Sequence, residues 1–98
     1  MNNKDQYTDD NLETARLCKA LAHPARISII KLLLSKDCCV CGDIVKELPL
    51  AQSTVSQHLK ELKNAGIIRG NITPPKVKYC IDKENWNRLK ETITQFLQ

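Results

Sequence analysis

Ninety-eight residues leave room for one domain, and a core of that size gains stability by joining a second copy through apolar helix faces. No apolar run reaches the ~18 residues of a membrane span, and residues 1–10 are polar, which excludes a signal peptide and points to the cytoplasm. The formal charge of +4 suits a polyanionic partner without requiring one.

Residues 1–8 read as a disordered tail, and 9–98 as the folded domain. Asp9 or Asp10 is a suitable N-cap for a first helix carrying Leu12, Ala15, Leu17, Cys18, Leu21 and Ala22 at helical spacing. His23-Pro24 ends it, because a residue before proline is pushed out of the α region. Pro24 then suits the first turn of a second, mostly buried helix over 24–35, with Ile27, Ile30, Leu33 and Leu34 in its stripe and Ile29 and Leu32 widening it. Residues 37–41 read as a connector. A short third helix over 42–48 buries Ile44, Val45 and Leu48, and Pro49-Leu50-Ala51 makes a turn.

The fourth helix, predicted over 52–65, buries Val55, Leu59 and Leu62 on one side. Gly66 follows as a residue able to take the left-handed conformation that ends a helix. Two β-like runs, 67–72 and 76–81, are joined by Thr73-Pro74-Pro75 as a hairpin with a stiff tip. Asp82 caps a last helix over 83–97, with Trp86, Leu89, Ile93, Phe96 and Leu97 on one face. The fold class is mainly α with a small β-hairpin, in the order α-α-α-α-β-β-α. That is a winged helix-turn-helix.

In such a fold the second helix of the pair must bury one stripe and expose compact polar side chains toward a major groove. Gln52, Ser53, Thr54, Ser56, Gln57 and Lys60 meet that need, and the helix N-terminus brings free amides toward phosphate. Thr54 and Gln57 have the spacing of a capping box. Between Lys60 and Lys83 six basic residues stand against two acidic ones, with Lys76 and Lys78 on the hairpin. This is the electrostatic footprint of double-stranded DNA binding. His58, set among leucines, reads as structural or phosphate-facing and not as a metal ligand.

Cys18, Cys38, Cys39, Cys41 and Cys80 are many for so short a chain. With no export signal they are expected to be reduced, without a disulfide framework. Three of them fall within four positions, pointing to soft-metal or redox chemistry. Residues two apart on an α-helix point about 200° from each other, so Cys39 and Cys41 share an ion only if the first turn of the third helix is open; Gly42 lowers the resistance to opening. Cys38 is the nearest third thiolate in sequence, with Cys80 and Cys18 as alternatives. Cys18, on the apolar side of its helix, reads equally as a small buried hydrophobe.

The runs Ala20-Leu21-Ala22-His23-Pro24-Ala25-Arg26, Ser53-Thr54-Val55-Ser56-Gln57-His58-Leu59-Lys60-Glu61-Leu62 and Ala65-Gly66-Ile67-Ile68 resemble the ArsR/SmtB family of metal-responsive repressors. Ala51 departs from the serine-like cap of many relatives. The resemblance implies a homodimer, joined through the first and last helices, that leaves an operator when an effector binds. Cys39-Val40-Cys41 is similar to the Cys-x-Cys of arsenite- and cadmium-sensing members. It implies arsenite or antimonite, or a thiophilic divalent ion (cadmium, lead or zinc), as effector, with no organic cofactor. The family's second site, of Asp and His on the last helix, finds no histidine in residues 82–98. Two other readings stand beside this one: a thiol-based redox or persulfide sensor of the same fold, and a winged helix used only for protein contacts. Nothing supports an enzyme, since the cysteines come with neither a paired catalytic histidine nor a phosphate loop.

Overall fold

The computed structural model describes residues 6–73 and 75–98. Its elements are α1 (Asp9–Leu21), α2 (Pro24–Lys36), β1 (Cys38–Val40), α3 (Cys41–Glu47), α4 (Gln52–Asn64), β2 (Ile68–Thr73), β3 (Lys76–Ile81) and α5 (Lys83–Leu97). The tail expected over residues 1–8 lies largely outside the described residues. Thr8 belongs to the fold, since its hydroxyl accepts from the amide of Asn11 at 3.1 Å and caps α1. Pro74, at the expected hairpin tip, is outside the described residues too.

The helices start where local chemistry favours it. Pro24 occupies the first turn of α2, and His23 caps that helix by accepting from the Ala25 amide through Nδ1 at 3.0 Å. Asp82 caps α5 through the amide of Asn85, as its position before the helix predicts. Gly66 sits at φ 79 directly after the Ala65 C-cap of α4, where the chain turns into β2. Arg16 on α1 donates to the Ala65 carbonyl at 3.0 Å, and Asn85 on α5 donates to the Gly66 carbonyl at 2.8 Å. Both ends of the domain are therefore tied to the end of α4.

The connector expected at 37–41 is instead a strand. β1 pairs antiparallel with β3 to give a three-stranded sheet in the order β1-β3-β2. Its register sets Cys38 opposite Cys80, Cys39 opposite Tyr79 and Val40 opposite Lys78. A three-residue strand has no periodicity of its own to announce it; only a partner some forty residues away makes it one.

The same register decides the state of two cysteines. Cys38 and Cys80 are joined by a disulfide, with Cα atoms 4.1 Å apart. The expectation of five reduced thiols fails for this pair because the fold sets the two directly opposite each other. Cys18 is corrected as well: it is exposed on α1 and not buried.

The core is built from Ile29 and Leu33 of α2, Ile44 of α3, Val55, Leu59 and Leu62 of α4, and Ile67 and Ile68 at the start of the wing. Each such side chain contributes about 1.5–3 kcal/mol by leaving water. The stripe expected on α2 is only partly covered, since Ile27 and Leu34 are exposed. On α5 Leu89 is buried and Trp86 and Ile93 half-buried, whereas Phe96 and Leu97 stand out at 66% and 73% exposure.

Candidate nucleic-acid interface and thiol site

α4 is held rigidly from below. Val55, Leu59 and Leu62 have no exposed surface, and α1, α2 and α3 all pack against the helix. Its opposite face carries Gln52, Ser53, Thr54, Ser56, Gln57 and Lys60, all exposed. Gln57 donates to Glu61 at 3.2 Å along the helix and is not half of a capping box with Thr54. No side chain caps the N-terminus at Ala51, so the first amides of α4 stay free for an outside acceptor. On the wing Lys76 and Lys78 are exposed, as are Arg69 and Asn71 of the paired strand.

His58 does not join this surface. It is 9% exposed and turned toward α2, where Arg26 donates to its Nδ1 at 3.2 Å and the His23 ring lies 4.3 Å away. Burial first, then the charges of His23 and Arg26, lower its pKa below the ordinary 6.5. The spacing Val55-His58-Leu59-Leu62 is that of one buried stripe, so the signal was in the sequence. The same contacts reveal Arg26 as the residue that joins α2 to α4.

Two further positions support the wing. A side-chain carbon on Gly70 would come within 3.3 Å of the Tyr79 ring and 3.6 Å of the Lys63 ammonium. The bare backbone there lets Tyr79 and Lys63 close over β2. Burial, followed by the nearby Cys41, pushes the Tyr79 phenol pKa up.

The thiols divide by face. Cys39 lies in β1, and Cys41 is the first residue of α3, reached through an extended Val40. Alternate residues of an extended chain share a side, so Cys39 and Cys41 lie together, next to Tyr79. Cys39 is buried at 5% exposure and belongs to the core, and Cys41 is half-buried against it. Burial raises the Cys39 thiol, with Lys36 opposing and Asp43, Glu47 and Cys41 adding to the rise. Cys38 points to the other face and is bonded to Cys80, so it offers no thiolate to the Cys39–Cys41 side while that bond stands. Among the described residues no group of three His, Cys, Asp or Glu side chains could hold a metal ion. The sites this fold brings together are thus a two-thiol pair and a separate disulfide. A three-thiolate set is not formed.

A buried-stripe helix exposed on its polar side, led in by a short helix and followed by a lysine-bearing hairpin, defines a winged helix-turn-helix regulator. The family model for bacterial regulatory proteins of the arsR family matches residues 23–69. The chain is 33% identical over 89 residues to the cadmium resistance transcriptional regulatory protein CadC homolog of Staphylococcus aureus, covering 90% of this chain and 73% of that protein. It is 43% identical over 63 residues to the transcriptional repressor SmtB of Mycobacterium tuberculosis, covering 64% of this chain and 46% of that one. Its fold matches a solved structure described as a possible transcriptional regulator for arsenical resistance, with a TM-score of 0.76, 23% identity and 84% of each chain covered. The protein belongs to the ArsR family: it is a DNA-binding repressor of transcription and not an enzyme. Among the described residues no helix is long and apolar enough to cross a membrane.

Proposed function

We propose that the protein holds operator DNA as a homodimer in the cytoplasm and releases it when a soft ion engages Cys39 and Cys41. Gln52, Ser53, Thr54, Ser56 and Gln57 read base edges in the major groove, and Lys60, Lys76 and Lys78 hold phosphates. The observation that carries this is the two-sidedness of α4. Its leucine side is fully buried, while the other side carries exposed polar side chains around uncapped amides. Buried anchoring fixes the helix angle, and exposed hydrogen-bonding groups are what a groove selects.

The effector follows from the thiols. Soft thiolates prefer arsenite, antimonite, cadmium, lead or zinc over hard ions, and arsenite leads on the Cys-x-Cys spacing. A cadmium-resistance relative supports that class of ion. The Cys39–Cys41 segment leads directly into α3, which packs on α4, so ligation and DNA affinity are coupled. Reciprocity requires DNA to weaken ion binding by the same factor. A titration of DNA release across these ions, run in a thiol-reducing buffer on wild type, Cys39→Ser and Cys41→Ser, tests the reading. Release by at least one ion, lost in both variants, is expected. Release unaffected by either substitution overturns it.

The Cys38–Cys80 bond favours a second reading, in which thiol oxidation itself is the signal. In that case a hydroperoxide or polysulfide releases DNA without any ion.

A further inference from the structure

We propose that the Cys38–Cys80 disulfide is a redox interlock on the effector site: closed, it limits the sheet edge to two thiols; opened, it supplies a third from Cys38. The proposal rests on the soft-ion reading of Cys39 and Cys41 and adds its regulation.

Cys38 and Cys80 are directly paired across β1 and β3, and Cys39 is paired with Tyr79. Side chains alternate along a strand, so the disulfide holds Cys38 on the face opposite to Cys39 and Cys41. β3 is paired on both edges, whereas β1 is a three-residue edge strand. The covalent bond therefore fastens the weakest strand of the sheet to its strongest. With β1 pinned, Cys38 cannot turn toward Cys39 and Cys41, in keeping with the absence of any three-ligand group among the described residues.

Reduction removes the covalent link between β1 and β3. A strand this short is marginal when left to its ladder alone, and once its residues leave the ladder they need no longer alternate from face to face. Cys38 then reaches the side of Cys39 and Cys41, three thiols within four positions of chain.

The chemistry balances with a hydroperoxide as oxidant and a dithiol as reductant. The Cys38 thiolate attacks the peroxide and takes up its terminal hydroxyl as the O–O bond breaks, and the other oxygen leaves as an alcohol. The Cys80 sulfur then displaces that oxygen from Cys38, forming the S–S bond, and its proton leaves in water. Two electrons and two protons pass from the thiols to the peroxide. In reverse, a small dithiol attacks the disulfide, is oxidised to its own cyclic disulfide, and leaves both cysteines as thiols.

The test compares full-length protein oxidised with stoichiometric organic hydroperoxide against protein reduced with a dithiol, each freed of reagent. Thiols are counted in denaturant, and cadmium chloride is then titrated by sulfur-to-metal charge-transfer absorbance. Three free thiols oxidised and five reduced are expected. Reduced protein should bind cadmium at least about tenfold more tightly than oxidised protein. Cys38→Ser should bind like the oxidised form whatever its treatment, and Cys80→Ser like the reduced form. Equal cadmium affinity in the two wild-type states, or five thiols after peroxide, overturns the interlock. Reduced protein that binds no ion at all overturns the soft-ion reading itself, an outcome told apart because the thiol count still moves.

Discussion

Arg26 on α2 donates through Nε to Nδ1 of His58 on α4 at 3.2 Å, while its Nη1 donates to the Ala20 carbonyl at 3.2 Å. Arginine has no acceptor, so this bond requires His58 Nδ1 to be free of a proton. α4 is thereby tied to the body through a neutral imidazole, with the His23 ring at 4.3 Å and Glu61 nearby.

That geometry sets a pH dependence. Burial, His23 and Arg26 lower the folded pKa of His58 below the unfolded 6.5, and Glu61 only partly opposes them. The unfolded chain therefore binds the proton first as pH falls. The stabilisation is complete above the unfolded value and is lost as pH drops below it toward the folded one. The slope is bounded by one proton, about 1.4 kcal/mol per pH unit. Urea denaturation should show wild type losing stability below pH 6.5 more steeply than His58→Gln, whose amide oxygen still accepts from Arg26. Arg26→Ala should cost about 1–3 kcal/mol at neutral pH, by leaving the buried acceptor unpaired. Parallel curves for wild type and His58→Gln would remove His58 from this role.

Gly66 offers a test of how α4 is terminated. Its φ of 79 disfavours any side chain, and an added carbon would lie 3.1 Å from Asn85 Nδ2, the same atom that donates to the Gly66 carbonyl. Gly66→Ala should destabilise by about 1–2 kcal/mol from the backbone alone, and more if the Asn85 bond is displaced. Thermal unfolding of Gly66→Ala and Asn85→Ala, singly and together, would show the coupling as non-additivity.

What the sequence disclosed depended on range. α4 and α5 were legible because Val55, Leu59 and Leu62, and Trp86, Leu89 and Ile93, repeat at helical spacing within one segment. The hairpin was legible because two β-like runs flank a proline pair. β1 was hidden, since Cys38–Val40 becomes a strand only by pairing with residues 78–80. The disulfide was hidden with it, because its partner is fixed by that same register. Of the two readings open to His58, structural and phosphate-facing, its phase favours the first: it lies three after Val55 and four before Leu62 on the buried stripe.

The DNA interface can be separated into positioning and reading. Lys60, Lys76 and Lys78 are exposed and carry the charge of the proposed contacts. Each lysine that holds a phosphate should, when changed to alanine, reduce the slope of log affinity against log salt by about 1 per bound subunit. Affinity should fall on all duplexes alike. Ser56→Ala and Gln57→Ala should leave the salt slope unchanged and narrow the gap between operator and random duplex. Fluorescence anisotropy over a range of salt concentrations measures both quantities. A Ser56 variant with a changed slope but intact discrimination would reverse the assignment.

The last turn of α5 carries Phe96 and Leu97 at 66% and 73% exposure, beyond the point where the chain's own core can cover them. Leu89, on the same helix, is buried, so α5 is anchored at its middle and bare at its end. α1, which packs against α5, also leaves Tyr7 beside its start at 52% exposure. Large apolar side chains grouped at helix ends are what a second copy would cover. Replacing Phe96 and Leu97 together with glutamate should leave the fold intact, because little of either side chain is packed in the single chain. Sedimentation should then report a mass of 11.1 kDa in place of twice that value. Operator affinity should collapse with it, since one recognition helix reaches one half-site and the second lies about 34 Å further along the duplex. A variant that keeps both its doubled mass and its operator affinity would move the dimer contact away from the end of α5, and with it the geometry by which two α4 helices are spaced.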